Sequence, residues 1–167
     1  MNLSFRPAVE DDIATISVLA DKIWREHYPS IISVEQIDYM LKSRYSSEVI
    51  AELMKGEERF FLAFIDSEPV GYGSVELKSD FYYLHKFYID VSRHRRGIGT
   101  EFFSYVLQQL DNSKPIRLQV NRLNFKAVNF YFKSGFEIES TGDFNIGNNY
   151  YMNDFVMIRK PGRKIYP

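Results

Sequence analysis

The sequence predicts a single α+β domain, with a mixed central sheet of about six to seven strands flanked by helices on both faces. The first observation behind this is length: 167 residues fit one domain with one sizeable core. The second is periodicity, which alternates between strand-like and helix-like stretches. The third is order: a strand, three helices and three strands joined by short turns, then helix, strand, helix and two closing strands. Helices and strands thus come in blocks, without a repeat, a low-complexity tract or a linker.

Leu3 to Val9 reads as the first strand. Asp11 and Asp12 then precede Ile13, Ile16, Ala20, Ile23, Trp24 and His27, a helical stripe with acids at the positive end of the dipole, and Pro29 ends it. Ser33 with Gln36 makes a capping-box signature before Ile37, Met40 and Leu41, so a second helix starts there. Ser47 to Lys55 gives a third, stopped by Gly56. Arg59 to Ile65 is a dense apolar strand, Asp66-Ser67-Glu68-Pro69 a turn, Val70 to Lys78 a strand, Ser79-Asp80 a turn, and Phe81 to Val91 a third strand. Short turns make these three an antiparallel meander. After Gly97, the residues Ile98, Phe102, Val106 and Leu110 form a helical stripe, broken at Asp111 to Pro115. Ile116 to Val120 is a short strand. Asn124 caps a helix carrying Ala127, Phe130 and Tyr131 and ended by Gly135. Phe136 to Glu139 and Tyr150 to Ile158 close the sheet.

Composition narrows the function. The formal net charge is −1, so no overall field favours nucleic acid or an acidic membrane. There is no cysteine, which excludes a disulfide scaffold, a thiolate nucleophile and a cysteine-based zinc site, and fits a cytoplasmic protein. No run approaches the roughly 18 apolar residues of a membrane span, and the first residues lack an apolar signal core. The aromatic share, 16%, is high. Many tyrosines suit a pocket that is apolar and hydrogen-bonding at once.

The informative stretch is Val91-Ser-Arg-His-Arg-Arg-Gly-Ile-Gly-Thr100, a strand end, a basic glycine-bearing turn and the start of an amphipathic helix. Glycines let the backbone approach an anion, and the first helical N–H groups are unpaired and carry partial positive charge. A pyrophosphate is the natural guest. Glycines also serve ordinary turns, and the basic cluster also reads as a solvated face or a nucleic-acid patch. The P-loop reading fails because no Lys-Ser/Thr follows the second glycine. The dinucleotide fingerprint fails because its third glycine is absent.

The run His94-Arg95-Arg96-Gly97-Ile98-Gly99 resembles the Gln/Arg-x-x-Gly-x-Gly/Ala signature of the GCN5-related N-acetyltransferases, with His94 departing from the usual Gln or Arg. Leu84 to Asp90 resembles that family's central strand, and Asn124-Phe-Lys-Ala127 with Tyr131, Gly135 and Phe136 resembles its downstream signature. The resemblance spans about Leu3 to Lys160. It implies that residues 1–167 form one N-acetyltransferase domain of this GNAT fold, an enzyme with acetyl-CoA as co-substrate and no metal. It further implies that the pantetheine arm pairs along Phe87, Tyr88 and Ile89. Arg95, Arg96, Gly97, Ile98, Gly99 and Thr100 then hold the pyrophosphate, Asn124 contacts the arm, and Tyr131 lies by the sulfur.

The chemistry fits these parts. An amine attacks the thioester, a strand N–H such as that of Ile89 polarises the carbonyl, and the leaving thiolate needs a proton. Tyr131 is the candidate acid; its helical spacing from Ala127 alone reads as core packing. The amine arrives protonated, with a reference pKa of about 10.4 for a lysine-like group. Candidates to take that proton are His85 on the central strand, Glu76 acting through water, or a water wire; Gln119 cannot. Trp24, His27, Tyr28, Tyr39, Met40, Tyr82 and Tyr83 are candidates to line the acceptor side, or else are core. The tail from Asp143 to Met157 resembles small-amine enzymes, including polyamine acetyltransferases, and Glu35, Asp38, Glu76 and Asp80 are the carboxylates available to a polyamine. The expected partner is therefore a small-molecule amine or a peptide N-terminus, with no nucleic acid and no membrane, and a homodimer is left open. The contrasting reading is a non-catalytic acyl-CoA-binding regulatory module.

Overall fold

A computed structural model describes residues 2–93 and 97–167. Its strands are β1 (Leu3–Pro7), β2 (Glu58–Ile65), β3 (Glu68–Leu77), β4 (Tyr82–Ile89), β5 (Ile116–Asn121), β6 (Glu137–Gly147) and β7 (Tyr150–Arg159). Its helices are α1 (Ile13–His27), α2 (Val34–Arg44), α3 (Ser47–Lys55), α4 (Ile98–Gln108) and α5 (Phe125–Lys133). The strands form one sheet in the order β1-β2-β3-β4-β5-β7-β6. Neighbours are antiparallel except β4 and β5, which are parallel. The single α+β domain expected from the sequence is the one observed.

Two cores sandwich the sheet. On one face α1, α2 and α3 bury Ile16, Ile23, Trp24, Ile37 and Ile50 against Phe60, Leu62 and Tyr72. On the other, α4 and α5 bury Phe102, Phe103, Val106 and Val128 against Phe61, Ala63, Leu118 and Met157. The split within β2, Phe60 and Leu62 to one side and Phe61 and Ala63 to the other, is strand alternation at work. Each such large side chain contributes about 1.5–3 kcal/mol on burial.

Local chemistry sets the element ends. At the start of α1, Asp12 accepts two hydrogen bonds from the Arg6 guanidinium, at 2.7 and 2.8 Å, and one from the Val9 N–H at 2.8 Å. The Arg6 hydrogen bond holds the Asp12 carboxyl below its usual range. Ser33 caps α2 by accepting the Gln36 N–H at 3.2 Å, one half of the capping box the sequence suggests, while the Gln36 side chain donates to the Tyr151 carbonyl instead. Asp90 ends β4 earlier than the sequence suggests: its Oδ1 accepts the Ser92 N–H and hydroxyl at 2.9 and 2.8 Å, turning the chain into a short 3₁₀ turn at Val91–Arg93.

One expectation needs correction. The strand read as Phe136 to Glu139 is far longer, Glu137–Gly147, and pairs along nearly its whole length with β7. It is an edge strand, largely exposed, so its Ser140, Thr141, Gly142, Asp143 and Asn145 carry no apolar alternation. The tight connection to β7 uses Asn148 and Asn149, both left-handed at φ 52° and 59°.

β4 contains an irregularity that shapes the site. Ser74 on β3 faces Lys86, yet Val75 faces Leu84, so His85 is an extra, bulged residue. The bulge breaks alternation. Leu84 and Phe87 join the α4/α5 core, whereas Lys86 turns to meet the buried Glu58 at 2.7 Å.

Candidate active site

β4 and β5 pair only at Tyr82 with Ile116 and Tyr83 with Arg117, and then diverge. A cavity of about 550 Å³ occupies the divergence. Its wall takes residues from both cores: Leu84, Phe87, Val120 and Phe130 from one, Trp24, Tyr28, Tyr45 and Met152 from the other. Beyond Tyr83 the edge of β4 therefore faces the cavity instead of a neighbouring strand.

At one end stands the first turn of α4. Gly97 adopts φ 72°, the left-handed conformation that side chains resist, and serves as the N-cap position without a side-chain cap. Gly97, Gly99 and Thr100 line the cavity. A Cβ on Gly99 would sit 3.4 Å from the Phe130 ring, so a small residue keeps α5 close to this turn. Ile98 is 1% exposed and points into the core, which leaves only its backbone to face a ligand. His94, Arg95 and Arg96 lie outside the described residues. The neighbouring Arg93 lines the cavity and pairs with Glu68 at 2.8 Å.

Phe87, Tyr88 and Ile89 all line the cavity. Phe87 is sandwiched between Phe102 and Phe130, at centroid distances of 5.1 and 5.5 Å. The Tyr88 phenol meets those of Tyr45 and Tyr28 at 3.4 and 3.5 Å. Burial pushes the Tyr88, Tyr45 and Tyr28 phenols up, so all stay neutral.

Tyr131 and Asn124 reach the cavity from α5. Tyr131 packs edge-on against Phe130 and Phe136. Burial, and then the neighbouring Tyr28 and Tyr45, raises its phenol, which therefore keeps its proton at neutral pH. Asn124 Oδ1 accepts the Ala127 N–H at 3.3 Å, capping α5, and lies 3.1 Å from His27 Nε2.

His85 is on the cavity wall, but Glu76 is behind it, off the wall. Their contact, His85 Nε2 to Glu76 Oε2, is 2.7 Å, and Lys78 meets the other Glu76 oxygen at 2.6 Å. Lys78, then His85, holds the Glu76 carboxyl down against burial. An ionised Glu76 orients the imidazole with its Nε2–H toward the carboxylate and its Nδ1 as acceptor. Tyr83 donates to Gln119 Oε1 at 2.6 Å, and both line the cavity.

Of the residues the sequence offered for the acceptor side, Trp24, His27, Tyr28, Met40 and Tyr83 line the cavity. Tyr82 and Tyr39 do not. Tyr82 points into the α4/α5 core, because alternation puts it opposite to Tyr83. Tyr39 donates to the Ile146 carbonyl at 2.7 Å, and Gln36 donates to the Tyr151 carbonyl at 2.9 Å, so α2 clamps the β6–β7 hairpin. That hairpin contributes Phe144, Ile146 and Met152 to the wall. The carboxylates Glu35, Asp38 and Asp80 are also off the wall.

Sequence reasoning missed Asp154, which lines the cavity from β7. The available signal was one acid in the middle of an otherwise strand-like run. Its meaning depends on β7 being an inner strand, which sequence order does not reveal.

Residues 30–146 match the family described as the acetyltransferase (GNAT) domain. The chain belongs to this family of GCN5-related N-acetyltransferases. It is 26% identical over 168 residues to a spermidine N(1)-acetyltransferase of Thermoplasma acidophilum, with 96% of this chain and 98% of the relative covered. The PaiA N-acetyltransferase of T. acidophilum, solved in complex with coenzyme A, superposes with a TM-score of 0.80 at 24% identity, covering 96% of this chain and 99% of that one. The ribosomal-protein-S18-alanine N-acetyltransferase of Escherichia coli superposes with a TM-score of 0.71 at 13% identity, covering 96% and 94%. The protein is an acetyl-CoA-dependent N-acetyltransferase. Among the described residues no helix is long and apolar enough to cross a membrane.

Proposed function

We propose that the enzyme acetylates a primary amine of a small cationic acceptor, a polyamine in preference to a protein N-terminus, by direct attack in a ternary complex. One observation carries this reading: a single cavity joins the first turn of α4 to the aromatic side chains of α1 through the gap between β4 and β5. Its volume is that of a small-molecule site. Donor and acceptor therefore have one shared space, and a chain without cysteine offers no thiol to carry the acetyl group between them. The spermidine-acetylating relative supports the acceptor class.

In this reading residues 1–167 act as one catalytic domain. The backbone of Gly97 to Thr100, with Arg95 and Arg96, takes the pyrophosphate, and the open edge of β4 at Phe87, Tyr88 and Ile89 takes the pantetheine arm. Asn124 meets the arm near its end. His85, oriented by Glu76, accepts the ammonium proton at Nδ1, directly or through water. The free amine nitrogen attacks the thioester carbon, the tetrahedral oxyanion collapses with cleavage of the C–S bond, and the new amide nitrogen sheds its extra proton to solvent. Tyr131 gives its phenolic proton to the departing thiolate and regains one from solvent as CoA leaves. The test is two-substrate kinetics with acetyl-CoA against spermidine, spermine and a peptide N-terminus, with products read by mass spectrometry. Intersecting initial-velocity lines and acetylated spermidine are expected. Parallel lines, or acetylation of the peptide alone, would overturn the proposal.

A further inference from the structure

β7 lies inside the sheet, and Asp154 stands at its middle, opposite Asn121 on β5 and Gly142 on β6. It is 5% exposed. Its Oδ1 has no hydrogen-bond partner among the described residues. Directly opposed residues share a face of the sheet, so Asp154 and Asn121 point the same way, and both line the cavity. A buried carboxylate oxygen without a hydrogen bond destabilises a fold, which has no structural reason to keep one.

The wall supplies the reason. Among the described residues lining the cavity, Asp154 is the single acid. Of the other carboxylates offered for the acceptor side, Asp38 pairs with Arg25 and Glu76 with Lys78 and His85, and Glu35 and Asp80 lie off the wall. The groups facing Asp154 leave its charge uncompensated. Tyr28, from the turn after α1, and Tyr83, from β4, are phenols whose ionisation its field opposes. Arg122, following β5, acts on it from a distance, while its guanidinium bonds Asp143 of β6 at 2.6 Å. Burial accordingly raises the Asp154 carboxyl to about 6, against the pull of Arg122. Such a group is mostly ionised at neutral pH, and among the described residues no Lys, Arg or His forms an ion pair with it.

We propose that Asp154 is the seat of the acceptor's protonated nitrogen, a specificity-determining carboxylate that accepts hydrogen bonds from the ammonium as the amine enters the cavity. The inference rests on the amine-acetyltransferase reading above and adds to it the residue that selects a cation. Asn121, its cross-strand partner, and Tyr28, which feels its field, line the same cavity and offer the incoming group a polar surround.

The experiment compares wild type with Asp154→Asn, an isosteric change that removes the charge. With spermidine as probe, KM should rise by about ten- to a hundredfold, as expected when one partner of a buried charge pair is lost. Calorimetric affinity for acetyl-CoA should stay within about twofold, since the donor end is untouched. The charge-retaining Asp154→Glu should lie between the two proteins. The wild-type KM for spermidine should also rise as pH falls through about 6, and the Asn variant should lose that rise. His27, His85 and Lys86 share the cavity, so the difference between the two profiles is the readout. An unchanged KM in Asp154→Asn, beside a wild type that acetylates spermidine, overturns this inference alone. A wild type that acetylates no cationic amine overturns it together with the proposed function.

Discussion

The imidazole Nε2 of His27, at the last position of α1, lies 3.1 Å from Oδ1 of Asn124, the atom that also caps α5. One side chain thus ties the C-terminal end of a helix on one face of the sheet to the N-terminal end of a helix on the other. Asn124→Ala should remove the cap and the tie together, destabilising the protein by about 1 kcal/mol in urea unfolding. Asn124→Asp keeps the capping oxygen and should recover most of that loss. Equal destabilisation by both changes would refute capping as the main role.

Gly97 tests the donor end. Its φ of 72° makes any side chain costly, by about 1–2 kcal/mol for an ordinary residue. Gly97→Ala should therefore lower stability modestly and weaken acetyl-CoA binding slightly. Gly97→Asp adds a negative charge where the pyrophosphate is proposed to sit, and its calorimetric affinity should fall at least about tenfold below that of Gly97→Ala. Matching affinities for the two variants would move the phosphates away from α4.

Tyr131→Phe retains the packing against Phe130 and Phe136 and deletes only the hydroxyl. If the phenol protonates the thiolate, kcat and kcat/KM should fall together by about 10²–10⁴, with melting temperature and acetyl-CoA affinity near normal. Wild-type kcat in this variant would reduce Tyr131 to core packing.

Much of this was legible in the sequence because its signals are local. Ser33 with Gln36, Gly97 before an apolar helical stripe, and Asn124 three residues before Ala127 each specify a conformation within a few residues of themselves. What stayed illegible depends on distant partners. β6 carries polar residues because it is an edge, and nothing local says that β7 will cover only one of its sides. The pairing of Lys86 with Glu58 joins β4 to β2 across β3, beside the bulge at His85. Asp154 reads as an ordinary surface acid until β7 is found between two other strands.

The Lys86–Glu58 pair is buried on both sides, and Ser74 also donates to Glu58, at 2.5 Å. Removing the cation strands the anion. Lys86→Met should cost about 3–5 kcal/mol, and Lys86→Met with Glu58→Gln should cost clearly less. Additive losses in the double variant would mean that the two side chains do not compensate each other.

Acid titration separates Asp12 from Asp154 by sign. The Asp12 carboxyl is lowered in the fold by Arg6, so its contribution is complete above the unfolded value and is lost as pH falls through the lower folded value. The Asp154 carboxyl is raised from 3.8 to about 6. Between those values the folded state binds the proton more tightly, so stability declines as pH rises across that window. Asp154→Asn should flatten the decline, whereas Asp12→Asn should flatten the loss at the acid end. Urea unfolding at several pH values reads both, and an unaltered slope near pH 5 in Asp154→Asn would contradict the burial of that charge.

The separation of β4 from β5 after Tyr83 turns the sheet from a partition into a doorway. An unbroken sheet would keep molecules approaching its two faces apart by the thickness of the backbone. Here the walls belong to both faces, so in the proposed ternary complex the two reactants come from opposite sides and touch only at their reacting ends. Neither has to pass the other or leave first, and each half of the opening is free to vary in shape without redesigning its counterpart.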